Sequence, residues 1–240
     1  VTPFAFSTVW APEAPIPEEA DSMQTTDDAA AAARIAYNLA ADRYHERFHD
    51  EMCDKPYDRA LLDRLAESLA PGALVLDAGC GPCAPAGRHL RQRGARVIGI
   101  DISDRCVILA REHVRELRFA QADLARLPFS GGVFDGILAY YSLIDTPKAL
   151  LAVLASELCR VLAPGGRLLV VVKAGLDEGI SHDLLGIATN IWFARFTPQE
   201  IAQLLTGAGL EVELLESRAP YELEIGIERI YAVGRRVTAT

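Results

Sequence analysis

The sequence predicts an α/β fold in which a doubly wound, mostly parallel sheet is covered by helices on both faces. Three observations carry this expectation. From Ala73 to Ala174, short apolar runs alternate with stretches of helical periodicity, as in repeated strand–helix units. Gly and Pro punctuate the units at Pro71-Gly72, Gly94 and Pro164-Gly165-Gly166. Near the end, two apolar runs are joined by a connection too short for a parallel crossover, so they should pair antiparallel.

Residues 1–26 contain Pro3, Pro12, Pro15 and Pro17 and the acids Glu18, Glu19 and Asp21, and read as a flexible arm. The folded domain then spans 27–240, and its first part, 27–70, is a helical cap. Thr26, Asp27 and Asp28 suit a helix start, with acids at the positive end of the dipole. This helix should run through Ile35, Tyr37, Leu39 and Tyr44 to about Phe48, with Tyr37 and Tyr44 on one face. Pro56 opens a second helix carrying Leu61, Leu62, Leu65 and Leu69.

The strands follow as ALVLDAG (73–79), RVIGID (96–101), LRFAQAD (117–123), FDGILAYYSL (134–143) and GRLLVVVKA (166–174). Helices at 84–93, from Ser103 to Glu116, and from Thr146-Pro147 to Val161 separate them. Residues 175–197 interrupt the rhythm for longer than an ordinary connection and are expected to form a lid or substrate insertion. Pro198 opens another helix, and LEVELLES (210–217) and RIYAVGR (229–235) are the final antiparallel pair.

With 240 residues the chain is long enough for one large domain. Its net charge of −9, from 33 acidic and 24 basic residues, disfavours a basic nucleic-acid binder. No run of 18 apolar residues predicts a membrane span, and no basic-then-apolar leader stands at the N-terminus. Five cysteines do not make a disulfide framework in a chain of this size, so a reduced, cytoplasmic setting is expected.

The chemistry concentrates at D-A-G-C-G-P, Asp77 to Pro82, where the first strand turns toward a helix. Gly79 and Gly81 allow a tight turn and close approach to a ligand at the carboxyl end of a strand. Asp101 ends the second strand, where a carboxylate can accept both hydroxyls of a ribose. Asp123 follows the third, where it can meet the amine of an adenine, with Ile102 and Leu124 on either side of the ring. Two cofactors satisfy this pattern. Gly79-x-Gly81-x-x-Ala84 fits a dinucleotide fingerprint, which would make the chain an NAD(P)-dependent oxidoreductase. Asp77 repels a pyrophosphate but attracts the sulfonium and ammonium of S-adenosylmethionine.

Taken together, LDAGCGP, VIGID, AQADLARLPF, FDGILAYYSL and LCRVLAPGGRLLV resemble the successive motifs of class I S-adenosylmethionine-dependent methyltransferases, over roughly residues 37–235. YNLAADRYHERF and KPYDRALLDRLA resemble the cap of bacterial small-molecule enzymes of that family, many from natural-product pathways. The resemblance implies a Rossmann-like seven-stranded sheet with an antiparallel last strand. Carried over, the cofactor loop falls on Asp77, Gly79 and Gly81, the ribose acid on Asp101, the adenine-edge acid on Asp123, and the backbone past strand four on Ala139. The family often has Gly where this chain has Cys83, followed here by Pro85, so the loop at 82–86 departs from the family pattern.

Beyond the cofactor loop, Tyr37 and Tyr44 are either core aromatics or, as the resemblance implies, a lid on the pocket; Tyr44 is assigned to the cofactor and Tyr37 to catalysis. His182 is either an exposed loop residue or a general base, which a neutral imidazole suits. By strand alternation, one of Tyr140 and Tyr141 should face the substrate and the other the core. With Trp192 and Phe193, Tyr141 would line a pocket for a flat acceptor. The Tyr/Tyr/His set is similar to that of actinobacterial enzymes that methylate an indole carbon; a phenol or amine fits the same lining. Cys80-x-x-Cys83 has no second pair at zinc spacing and is assigned to packing, and no metal is expected. The post-strand-four sequence lacks the [ND]-P-P-[YF] element of nucleobase methylation. The partners expected are a small-molecule substrate and a second copy in a homodimer, with no nucleic acid and no membrane.

Overall fold

The computed structural model describes residues 25–222 and 224–237. Apart from Thr25 and Thr26, the expected arm lies outside these residues. Thr25 caps the first helix, α1 (Thr26–Phe48), by accepting the Asp28 N–H. A 3₁₀ turn at Glu51–Asp54 leads into α2 (Pro56–Glu67). The strand–helix units are β1 (Leu74–Ala78), α3 (Pro85–Gln92), β2 (Arg96–Asp101), α4 (Asp104–His113) and β3 (Arg118–Gln121). Next come β4 (Phe134–Tyr140), α5 (Leu151–Val161) after a 3₁₀ turn, and β5 (Leu162–Lys173). The chain closes with β6 (Glu178–Leu184), β7 (Ile187–Ala194), α6 (Pro198–Gly207), β8 (Leu210–Arg218) and β9 (Arg229–Arg236).

The main sheet has seven strands in the order β3-β2-β1-β4-β5-β9-β8. The pairs among β1 to β5 are parallel, whereas β9 runs antiparallel to both β5 and β8. The final strand is therefore reversed, as the sequence predicts, but it lies between β5 and β8 rather than at the rim. Successive side chains leave β1 on opposite faces, so Val75 packs toward α2, α3 and α4 while Leu76 joins the α5 and α6 side.

Two segments differ from expectation. Residues 175–197 are mostly not a loop: β6 and β7 pair as a separate antiparallel hairpin that packs against α1. Arg43 of α1 donates to the carbonyls of Leu185 and Gly186 at the hairpin turn. The fourth strand stops at Tyr140, and Tyr141 enters the left-handed region with φ 60°. That conformation is costly for a bulky side chain and recurs where backbone strain serves a site.

Candidate active site

At the carboxyl ends of the parallel strands, α1 roofs a half-open cleft of about 840 Å³, mouth included. The floor is Gly79, Gly81, Asp101, Ile102, Asp123 and Leu124; the roof is Ala29, Ala30, Ala33, Tyr37 and Tyr44. The far wall is Tyr140 to Ser142 with Asp145 and Thr146.

The glycine turn follows from sheet geometry. Gly79 and Gly81 have φ of 76° and 62°. A Cβ on Gly79 would collide with that of Ser142, so the close approach of β1 to the segment after β4 requires glycine there. The N–H groups of Gly79 and Cys80 both donate to the Ile100 carbonyl, which ties the turn to the end of β2. Asp101 completes the tie: its Oδ2 accepts from the Gly81 N–H at 2.8 Å and its Oδ1 from Ser103 at 2.9 Å. Burial nevertheless raises its carboxyl to about 6, against the opposing pull of those N–H groups. Asp123 lines the cleft with one oxygen on the Ala125 N–H.

Asp77 lies deeper, in a second, smaller cavity that shares Tyr44, Gly79, Gly81 and Tyr140 with the main cleft. Its Oδ2 accepts from Gly87 N–H, and burial raises its carboxyl to about 7. Among the described residues no basic side chain pairs with it.

Tyr37 and Tyr44 meet edge to face, with ring centroids 6.0 Å apart. The Tyr37 hydroxyl donates to Asp145 Oδ2 at 2.7 Å. Burial and the adjacent carboxylate push Tyr37 well above its ordinary value, so it stays a proton donor. Burial raises Asp145 to about 6, opposed by the Tyr37 hydrogen bond and the field of Lys173. At neutral pH Asp145 is thus largely ionised and fit to take a proton, a role sequence reasoning did not assign. Its only sequence signal was an acid five residues past a strand end. Glu51, on the wall of the second cavity, was missed as well.

Several expected site residues lie elsewhere. His182 is exposed on β6 and its Nδ1 lies 2.7 Å from Asn190 Oδ1. The pairing irregularity between Ser181 and Asp183 falls on His182, breaking the alternation that would align it with the inward Ile180. Trp192 is buried in the core with its indole N–H on Glu178, and Phe193 is half-buried beside Arg195. None of the three lines the cleft. Ala139 is enclosed within β4, and the lining begins one residue later. Tyr140 and Tyr141 both line the cleft, because Tyr141 leaves strand geometry. Cys80 and Cys83 are buried and unpaired.

The residues present fit S-adenosylmethionine: a glycine cradle, one carboxylate at each of two strand ends, and an unpaired buried acid for a cation. A seven-stranded sheet with β9 reversed, bearing its cleft at this edge, defines a class I S-adenosylmethionine-dependent methyltransferase fold. Residues 75–166 match the family model of a methyltransferase domain. A sterol 24-C-methyltransferase from Gibberella zeae is 34% identical over 167 residues, covering 62% of this chain and 43% of that protein. A demethylmenaquinone methyltransferase from Thermus thermophilus is 32% identical over 154 residues, covering 60% and 64%. The chain thus spans about half the length of the curated relatives it matches. The crystal structure of Burkholderia thailandensis 1,6-didemethyltoxoflavin-N1-methyltransferase superposes with a TM-score of 0.68 at 21% identity, covering 96% of this chain and 94% of that one. The family model and these curated relatives are methyltransferases, which supports the methyltransferase reading over the dinucleotide one. No described helix is long and apolar enough to cross a membrane.

Proposed function

We propose that this chain methylates a small, ring-bearing acceptor through an N–H or O–H nucleophile, with Asp145 as the proton acceptor. The carrying observation is the Tyr37–Asp145 pair, 2.7 Å apart and facing the glycine turn across the cleft. When bound, S-adenosylmethionine supplies a methyl group on a sulfonium, a leaving group already activated. What remains for the protein is alignment, exclusion of water and removal of one proton. Tyr37 holds one oxygen of Asp145; the other has no hydrogen-bond partner among the described residues and is free for the acceptor. Tyr141 and Leu154 offer apolar surface to a ring.

The charged residues described in the lining are Asp101, Asp123 and Asp145, with no Lys or Arg among them. This disfavours an acceptor carrying a carboxylate or phosphate and favours a neutral phenol, arylamine or indole. Relatives named for a sterol, a demethylmenaquinone and 1,6-didemethyltoxoflavin support a small-molecule acceptor. The test is a screen with labelled methyl donor against neutral phenols, arylamines and indoles, their carboxylated counterparts, and peptides. Label in the neutral ring compounds is expected; label confined to carboxylated compounds or peptides would sink the proposal.

A further inference from the structure

The wall of the second cavity carries one member of an ion pair that the proposed chemistry does not use. Glu51, from the 3₁₀ turn between α1 and α2, lines it, and its Oε2 lies 2.6 Å from Lys55 Nζ. Both side chains are nearly buried, at 13% and 10% exposure. Lys55 also reaches toward Glu224, at 3.8 Å, and lies over the rings of Tyr140 and Tyr141, at 5.5 and 5.2 Å. Asp77 forms another part of the same wall.

The glycine turn has little left to offer a ligand at this end. The N–H groups of Gly79, Cys80 and Gly81 are spent on Ile100 and Asp101. Recognition of a charged group in this cavity therefore falls to side chains: Glu51 and Asp77 line it, and Lys55 stands just behind, against Glu51 and over the lining ring of Tyr140. An ammonium with three donors, of which one meets Glu51, keeps capacity for a further acceptor. A carboxylate beside an ammonium, next to a cavity that shares Tyr44, Gly79, Gly81 and Tyr140 with the main cleft, complements a group that carries both charges in the opposite order.

We propose that the Glu51–Lys55 pair recognises the α-amino-acid end of S-adenosylmethionine, Glu51 taking its ammonium and Lys55 its carboxylate. This rests on the cofactor assignment above. It makes the cap a cofactor-binding element and gives it a means of discriminating nucleosides that lack the amino acid.

Calorimetry on the full chain separates the possibilities, with three probes: S-adenosylhomocysteine, decarboxylated S-adenosylmethionine and 5′-methylthioadenosine. Glu51→Gln should weaken the first two by about 10–100-fold, the range of a lost charged contact. It should leave 5′-methylthioadenosine within about twofold. Lys55→Gln should weaken S-adenosylhomocysteine alone, since the decarboxylated compound has nothing for Lys55 to hold. Affinity for 5′-methylthioadenosine reports whether each variant still folds. If Lys55→Gln loses it, the Glu51→Gln pattern decides. Equal losses for all three probes in Glu51→Gln, or no loss for any, would reduce the pair to a structural clamp and overturn the proposal. Wild-type protein that binds none of the three overturns the cofactor assignment itself.

Discussion

The two ends of the cleft are built by different means. At the end bearing Asp101, proposed for adenosine, the carboxylate is held by N–H groups 20 and 2 residues away, within one strand–turn–helix neighbourhood. At the end proposed for the acceptor, Asp145 is held by a side chain 108 residues away on α1. The first arrangement comes with the sheet. The second exists only once the cap has docked. Binding geometry should therefore be robust at one end and sensitive to cap contacts at the other.

The sharpest test of this contrast is Asp145→Asn. It should lower turnover by about 10²–10⁴-fold, the usual worth of a positioned base, while calorimetry finds S-adenosylhomocysteine affinity nearly intact. The rising limb of the pH–rate profile near 6 should disappear with it. A variant with full turnover would remove Asp145 from the chemistry.

Asp101→Ala should do the reverse, weakening the cofactor by roughly 1.5–3 kcal/mol through loss of a buried charged contact. Part of that loss comes from the freed Gly81 N–H, so Asp101→Asn should recover some of it. An unchanged dissociation constant would show that the ribose is held elsewhere.

The buried acids also predict a pH dependence. Asp77, at about 7, and Asp101 and Asp145, at about 6, are all raised above the ordinary 3.8. Each favours the folded state most when protonated. Their contribution is full below about pH 4, the unfolded value, and is lost as pH rises through 6 to 7. The melting temperature of the ligand-free protein should accordingly fall between pH 5 and 8. Affinity for the cationic S-adenosylmethionine should rise over the same interval, as ionised acids attract it. A flat melting profile with flat affinity would mean that these groups are already ionised at pH 5.

The smallest effect is expected at the hairpin. Arg43→Ala removes two exposed hydrogen bonds, worth at most about 1 kcal/mol together. It should raise the KM for the acceptor a few-fold and leave cofactor affinity within about twofold. His182→Ala, outside the lining, should leave turnover nearly unchanged. An equal rise in both constants for Arg43→Ala would erase the distinction between the ends.

The same division explains what the sequence made legible. Asp77, Gly79, Gly81, Asp101 and Asp123 stand at fixed steps from strand ends, and strand ends are marked by local apolar runs and glycines. The floor of the cleft could be placed from those marks. Asp145 and Glu51 acquire their surroundings from packing between distant segments, which no local period encodes. His182 fails for a third reason. Residues 175–197 carry no strong alternation, so the hairpin went unread, and a single pairing irregularity decides which way one imidazole points. Strand alternation does not separate Tyr140 from Tyr141, because the strand ends at Tyr140 and Tyr141 turns into the left-handed region.

The place of β9 has a consequence for how the molecule is assembled. It occupies the slot between β5 and β8, both of which precede it in the chain. Until residues 229–236 arrive, each of those strands presents an unpaired hydrogen-bonding edge toward the other, an invitation to pair with a foreign strand. β9 completes two ladders, one with β5 and one with β8, and carries the buried Ile230, Tyr231 and Ala232 into the core. Nascent chains should be most exposed to aggregation and to chaperone capture in the interval before β9 enters its slot.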